Sequence, residues 1–384
     1  AKRKGNETDL HDHWRAQLDP GEQTVIDTVT GCQLATDGGR MPAGSVQLAE
    51  AVLGSLHEQR AWWTRIHVFA EVARLVQDPT VGMIELEVER IIGGCVDLEP
   101  DRDHEYAQVD KTKFTSTTIK TAEARVLTAA VQPAPWTVDP QVGVGLGDDQ
   151  VEAIAAICAG GYQVATVIGP AGAGKTTMLK ATAESYQQAQ RPVTVLTLSA
   201  AAARVVTEET GLPASTIAAW RVGQVRLPRH GLVIIDEASM VPTLTLDQLI
   251  RVATAYDCRI AMVGDYAQMG APEAGGLLRD LAGLPSATQM TSVRRFHQPW
   301  ERTASKQLRH RDRAVADVYE AHGRLVGVTT QTGVATMTDA WLNDVLAGSD
   351  SIIVVDTAAE AATVSARCQQ LLAAHGALGP MVGV

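Results

Sequence analysis

Positive charge is in short supply in this 384-residue chain. Its 33 Lys and Arg stand against 44 Asp and Glu, a net charge of −11. Such a surface does not draw nucleic acid as a whole, so any DNA contact has to use a local basic patch. Cysteine is scarce as well. Cys32, Cys95, Cys158, Cys258 and Cys368 are scattered in no paired spacing. That argues against a disulfide framework or a cysteine zinc site and suits a reducing cytoplasm. No apolar run reaches the roughly eighteen residues of a membrane span. The basic start AKRKGNETDL has no apolar stretch behind it and is not a secretory signal. Short-period repeats and low-complexity tracts are missing too. What remains, 45% hydrophobic and 20% charged, suits a globular protein of two or three domains. The start without Met and the stop at GALGPMVGV read as a fragment of something longer.

Residues 1–44 are polar and irregular. Residues 45–131 read as a small helical domain, possible in winged-helix-like form. In it SVQLAEAVLGSLHEQ, RIHVFAEVARLV and MIELEVERIIGGCV repeat apolar residues at spacings of three and four, and TAEARVLTAA follows. Residues 132–145, with three prolines, read as a linker. From 146 to 287 strand and helix patterns alternate, which predicts an α/β domain with a parallel sheet covered on both faces. From 288 a second such domain is expected to begin, truncated at 384, with SIIVVD at 351–356 as a strand of its sheet.

The chemistry sits in the middle. VATVIGPAGAGKTTML contains a phosphate-cradling pattern: Gly169, Pro170, Ala171, Gly172, Ala173, Gly174, Lys175, Thr176 and Thr177. The glycines let backbone N–H groups face phosphate oxygens, Lys175 reaches the β- and γ-phosphates, and Thr176 holds Mg²⁺. One strand pattern later, LVIIDEASM ends in Asp236, placed to bind Mg²⁺ through water, and Glu237, placed to activate a water. A third strand ends in MVGDYAQ, where Gln268 can report the γ-phosphate. ATP and Mg²⁺ are the cofactors this set expects.

In order, GPAGAGKTT, VIIDEAS and GDYAQMGAPEAGG resemble motifs I, II and III of superfamily 1 helicases, and MTSVRRFHQPWE resembles motif IV. The resemblance implies RecA-like domains at 146–287 and from 288. It implies an adenine-reading Gln150, and Arg295 contacting the γ-phosphate across the cleft. Within the superfamily the chain is most similar to the RecD-like helicase part of conjugative relaxases of the MobF type (TraI, TrwC, TraA), with an actinobacterial flavour. That implies ATP-driven unwinding of DNA with 5′ to 3′ polarity, single-stranded DNA as partner, and an upstream relaxase domain and conjugation apparatus as neighbours. By the same resemblance Ser199, Thr216 and Arg294 are DNA-contact candidates, and Trp220 and Trp300 could stack on bases. Residues 294–313 hold seven Lys and Arg against two acids, the local basic run an acidic chain would need. His11 and His13 do not match the relaxase three-His cluster, and Met269 and Pro272 stand where motif III usually has Leu and Val. The other reading is a vestigial module that binds ATP or DNA without turnover.

Overall fold

The computed structural model describes residues 41–77, 79–99, 112–268, 276–329 and 332–376. They fall into two units, Ala1–Arg295 and Phe296–Val384. His11, His13, Cys32, Met269 and Pro272 lie outside the described residues.

Three helices open the first unit: α1 (Val46–Gln59), α2 (Arg65–Leu75) and α3 (Val81–Gly93). The Ser45 and Thr80 side chains accept backbone N–H groups at the starts of α1 and α3, which satisfies donors a helix leaves open. The apolar stripe recurs at three and four spacings. Leu48, Val52, Leu56, Val68, Val72, Ile84, Val88 and Ile91 meet around buried Trp63. An antiparallel pair, β1 (Val96–Asp97) and β2 (Phe114–Thr115), completes this part. The exposed residues of α3 include Glu85, Leu86, Glu89 and Arg90, and Glu89 pairs with Arg65 at 2.7 Å.

Helix α4 (Thr117–Val131) bridges two cores, its Ile119 packing with those helices. Its Val126, Ala129 and Ala130 are buried in the core of the sheet that follows. Small residues on this face let it approach closely. Arg125 grips Asp247 with two bonds of 2.7 Å. Nor is 132–145 a free linker. It forms no helix or strand, yet Ala134 and Val138 donate to the carbonyls of Gly161 and Cys158 at 2.8 and 2.9 Å. Trp136 donates to the carbonyl of Asp257 at 2.9 Å. Prolines prevent a helix there but leave an extended strap free to bond.

The rest of this unit is a six-stranded parallel sheet in the order β5-β4-β6-β7-β3-β8. The strands are β3 (Val164–Ile168), β4 (Val193–Thr197), β5 (Ala214–Thr216), β6 (Leu232–Ile235), β7 (Arg259–Gly264) and β8 (Ala287–Gln289). Every strand residue from Val164 to Ile168 and from Leu232 to Ile235 is buried. Alternate side chains enter two cores. Val164, Ile168, Val233 and Ile235 share one, and Ala165, Val167, Leu232 and Ile234 share the other. That two-residue period, with helices on both faces, explains strands that are mostly apolar on both faces. The helices are α5 (Asp148–Cys158), α6 (Lys175–Gln188), α7 (Ala200–Thr210), α8 (Ile217–Arg221), α9 (Thr243–Ala255) and α10 (Leu277–Leu281).

Arg259 is 1% exposed, and its guanidinium finds carbonyls instead of a carboxylate. It donates to Cys158 at 2.6 Å, Gly160 at 2.7 Å and Tyr162 at 3.2 Å. These lie at and just past the C-terminal end of α5, where the helix dipole is negative. Arg259→Met is expected to lower the unfolding free energy by about 3 kcal/mol, because several buried carbonyls lose their donor. Urea melts of the two proteins read this directly, and equal midpoints would show that water takes over the bonds.

The second unit contains α11 (Pro299–Arg309), α12 (Val315–Ala321), α13 (Gly333–Leu346) and α14 (Ala358–Ala374). The strand expected at 351–356 is not formed. Among the described residues this segment joins no ladder, and Ile352 and Val354 are 85% and 82% exposed. An apolar alternation becomes a strand only where a neighbour offers backbone partners, and the described elements of this unit are helices. The sheet of the first unit also reaches further than the boundary at 287 allowed, since β8 pairs with β3 and the unit runs to Arg295.

Candidate nucleotide-binding site

The carboxyl ends of the parallel strands gather the expected residues, as open α/β sheets do with their ligand sites. The phosphate loop leaves β3 and enters α6. Its turn needs Gly172 at φ +77° and Gly174 at φ +84°, left-handed conformations that cost glycine little. Beside it, Gly169 donates to the carbonyl of Gly264 at 3.0 Å, tying the loop to the end of β7.

Lys175 points back along the loop. Its Nζ lies 3.4 Å from the Gly169 carbonyl and 3.4 Å from Glu237 Oε1. Glu237 follows β6 at φ 51°, left-handed for a non-glycine residue. Such a conformation costs on the order of 1–3 kcal/mol and tends to mark functional sites. It aims the carboxylate at Lys175. The neighbouring Asp236 accepts the Glu237 N–H at 3.0 Å. Burial first, then the negative charge of Glu237, push its carboxyl above the usual range, while Lys175 pulls it down. A carboxylate so placed gains from a nearby cation. Among the described residues no three His, Cys, Asp or Glu side chains cluster to hold a metal. A Mg²⁺ ion here would rest on Thr176, Asp236 and the nucleotide's own oxygens, the sparse protein ligation that ion tolerates. When bound, the ion would offset the charge of the phosphates. The residues therefore fit a nucleoside triphosphate with Mg²⁺.

Gln268 lies in the turn that follows β7, with its side chain 3.3 Å from Asp265. Gln150 sits beside the loop at the start of α5. It is 3% exposed. Its carbonyl accepts the Gly147 N–H at 3.0 Å, and its amide donates to the Gly174 carbonyl at 3.0 Å. The carbonyl end caps the start of α5, and the amide end holds the loop. Arg295 lies on the loop in the same unit, its N–H 3.2 Å from the Gly172 carbonyl. Its side chain is exposed and makes no bond among the described residues. Arg294, the neighbouring DNA candidate, is turned onto the loop and α5. Its guanidinium is bonded to Asp149 and, at 2.6 Å, to the Ala173 carbonyl.

The remaining DNA candidates have structural employment. Ser199 and Thr216 cap α7 and α8, accepting N–H groups of Ala202 at 3.1 Å and Ala219 at 3.0 Å. Trp220 is buried. Trp300 stacks on His322 with ring centres 3.8 Å apart. Sequence reasoning missed Asp149. In DDQ it reads as one of two acids complementing a helix start, and only the structure brings Arg294 to it.

Gly172 tests the loop's shape. A Cβ there would overlap the Cβ of Arg295, and the φ is left-handed. Gly172→Ala is expected to weaken ATP binding at least about tenfold, a shift of about 1.4 kcal/mol. Calorimetric titration measures it, and parent-like affinity would mean that the loop relaxes when nucleotide binds.

Fold and loop define a P-loop NTPase domain. Residues 145–330 match a family model described as an AAA domain. The chain is 33% identical over 186 residues to a probable conjugal transfer protein TraA of Sinorhizobium fredii, covering 47% of this chain and 17% of that protein. It is 33% identical over 187 residues to the conjugal transfer protein TraA of Rhizobium radiobacter, again with 47% and 17% coverage. It is 27% identical over 168 residues to the ATP-dependent RecD2 DNA helicase of Deinococcus radiodurans, covering 42% of this chain and 23% of that protein. The chain thus spans about a fifth of the length of these relatives. Among the described residues no helix is long and apolar enough to cross a membrane.

Proposed function

We propose that this chain is the ATP-hydrolysing motor segment of a conjugative DNA-transfer protein. It would act as a superfamily 1 helicase or translocase on single-stranded DNA in the cytoplasm. The observation that carries the reading is convergence. Lys175, Asp236 and Glu237 come from two strand ends, Lys175 and Glu237 are in contact, and Arg295 is fastened to the loop that holds Lys175. In this reading Lys175 and the loop N–H groups bind phosphate, and Thr176 and Asp236 hold Mg²⁺. Glu237 takes a proton from the attacking water. Arg295 and Gln268 face the γ-phosphate. Phosphates would draw Lys175 away from Glu237 and free that carboxylate for water.

The names of the TraA and RecD2 relatives support conjugal transfer and ATP-dependent helicase action. By likeness to such proteins, a relaxase domain and the conjugation apparatus are its partners and movement runs 5′ to 3′. Contact with DNA would fall to Ser199 and Thr216 at the strand ends and to the basic run from Arg302 to Arg313. The test is ATP hydrolysis measured with and without single-stranded DNA. Mg²⁺-dependent turnover that rises with DNA supports a motor. Binding of ATP without any turnover would instead support a vestigial binding module.

A further inference from the structure

The phosphate loop is held from its outer side by groups that none of these roles uses. The backbone N–H of Arg294 donates to the Gly172 carbonyl at 2.7 Å. Its Nη1 donates to the Ala173 carbonyl at 2.6 Å. Gln150 Nε2 donates to the Gly174 carbonyl at 3.0 Å. Three successive loop carbonyls are therefore fixed. In a trans peptide the carbonyl and the following N–H point in opposite directions. Fixing the carbonyls of Ala173 and Gly174 turns the N–H groups of Gly174 and Lys175 the other way. Those two donors have no partner among the described residues, and they open a fourteen-residue helix whose positive end favours anions.

Arg294 can hold the loop because it is itself held. Its Nη2 is bonded to Asp149, and Asp149 also accepts the N–H groups of Thr291 at 3.0 Å and Ser292 at 2.8 Å. Burial opposes charge on Asp149, but Arg294 and the two N–H groups outweigh it and hold the carboxyl down to about 2. The ion pair therefore stays charged at any working pH. Space is reserved for it: a Cβ on Gly147 would overlap the Arg294 guanidinium.

We propose that Asp149 and Arg294 are positioning residues, forming a clasp that presets the phosphate-binding N–H groups before nucleotide arrives. The inference rests on the reading of the loop as a nucleotide site. A pair that only stabilised the fold would shift the melting temperature and leave affinity alone. A clasp does the reverse for its main effect, on the scale of the outer partners that orient metal ligands, whose loss costs about 10–100-fold.

The test is titration of the purified chain with Mg²⁺ and ATP by calorimetry, beside thermal melts of each protein. Arg294→Ala and Asp149→Asn are each expected to weaken ATP binding about 10–100-fold while the variants remain folded. Arg294→Lys keeps the charge on Asp149 but cannot also reach Ala173, so its affinity should fall between the two. Parent-like affinity in Arg294→Ala, with Lys175→Ala binding no ATP, would overturn the clasp and leave the nucleotide site standing. A parent chain that binds no ATP would overturn the site and the clasp together. If Arg294→Ala does not fold, Arg294→Lys decides, and parent-like affinity there overturns the clasp.

Discussion

Arg295→Ala should bind ATP much as the parent does and hydrolyse it about 10³–10⁵-fold more slowly, the range for an arginine that meets charge on a transferring phosphoryl group. The asymmetry follows from what each group touches. Binding rests on loop N–H groups and Lys175, which see the phosphates in the ground state. Arg295 has an exposed, unbonded side chain beside Gly172, and its reward comes as charge builds in the transition state. An interaction of that kind lowers kcat and kcat/KM together. Because its backbone is fastened to the loop, the loss should appear in basal and in DNA-stimulated turnover alike. The adjacent Arg294→Ala should show the opposite pattern, weak binding. Two neighbouring arginines thus give separable signatures in one steady-state assay. An Arg295→Ala variant that turns over at the parent rate would move the γ-phosphate contact to another residue.

The sheet and the loop were legible in the sequence because both obey local rules. Strands buried on two faces are apolar at nearly every position, so VATVI and LVII announce themselves. A loop that turns its N–H groups inward needs glycine where φ is positive, so Gly172 and Gly174 could be read without coordinates. What escaped was long-range. Asp149 and Arg294 are 145 residues apart, and neither carries a local pattern that names the other. Arg295 looked like part of a following domain because the alternation of strands and helices pauses there. Backbone bonds to Gly172, which no side-chain pattern encodes, assign it to the first unit. Gln150 was legible as a residue near the site, and its bond to the Gly174 carbonyl was not, since an amide can read a base or hold a carbonyl equally well. The strand expected at 351–356 failed for a related reason. Period and composition state a willingness to pair, and the partner has to be supplied by the rest of the fold.

Glu237→Gln should retain ATP binding and lose turnover by about 10²–10⁴-fold, the usual contribution of a positioned general base. The substitution keeps the shape and removes the charge, so the left-handed turn at 237 and the Asp236 bond from its N–H are preserved. It should also shift a titration. Asp236 is held above the ordinary carboxylate range first by burial and then by the charge of Glu237. With Gln in place, one of those two causes disappears and the Asp236 carboxyl ionises at lower pH. Mg²⁺-dependent ATP binding, which needs the ionised form, should therefore persist to lower pH in Glu237→Gln than in the parent. Lys175→Ala works against both. It removes the cation that lowers the Asp236 carboxyl and the group that reaches the phosphates, so binding should be lost and no pH should restore it. The pair of variants separates binding from chemistry. Parent-like turnover in Glu237→Gln would take the base role from Glu237, and parent-like ATP affinity in Lys175→Ala would remove the loop from nucleotide binding altogether.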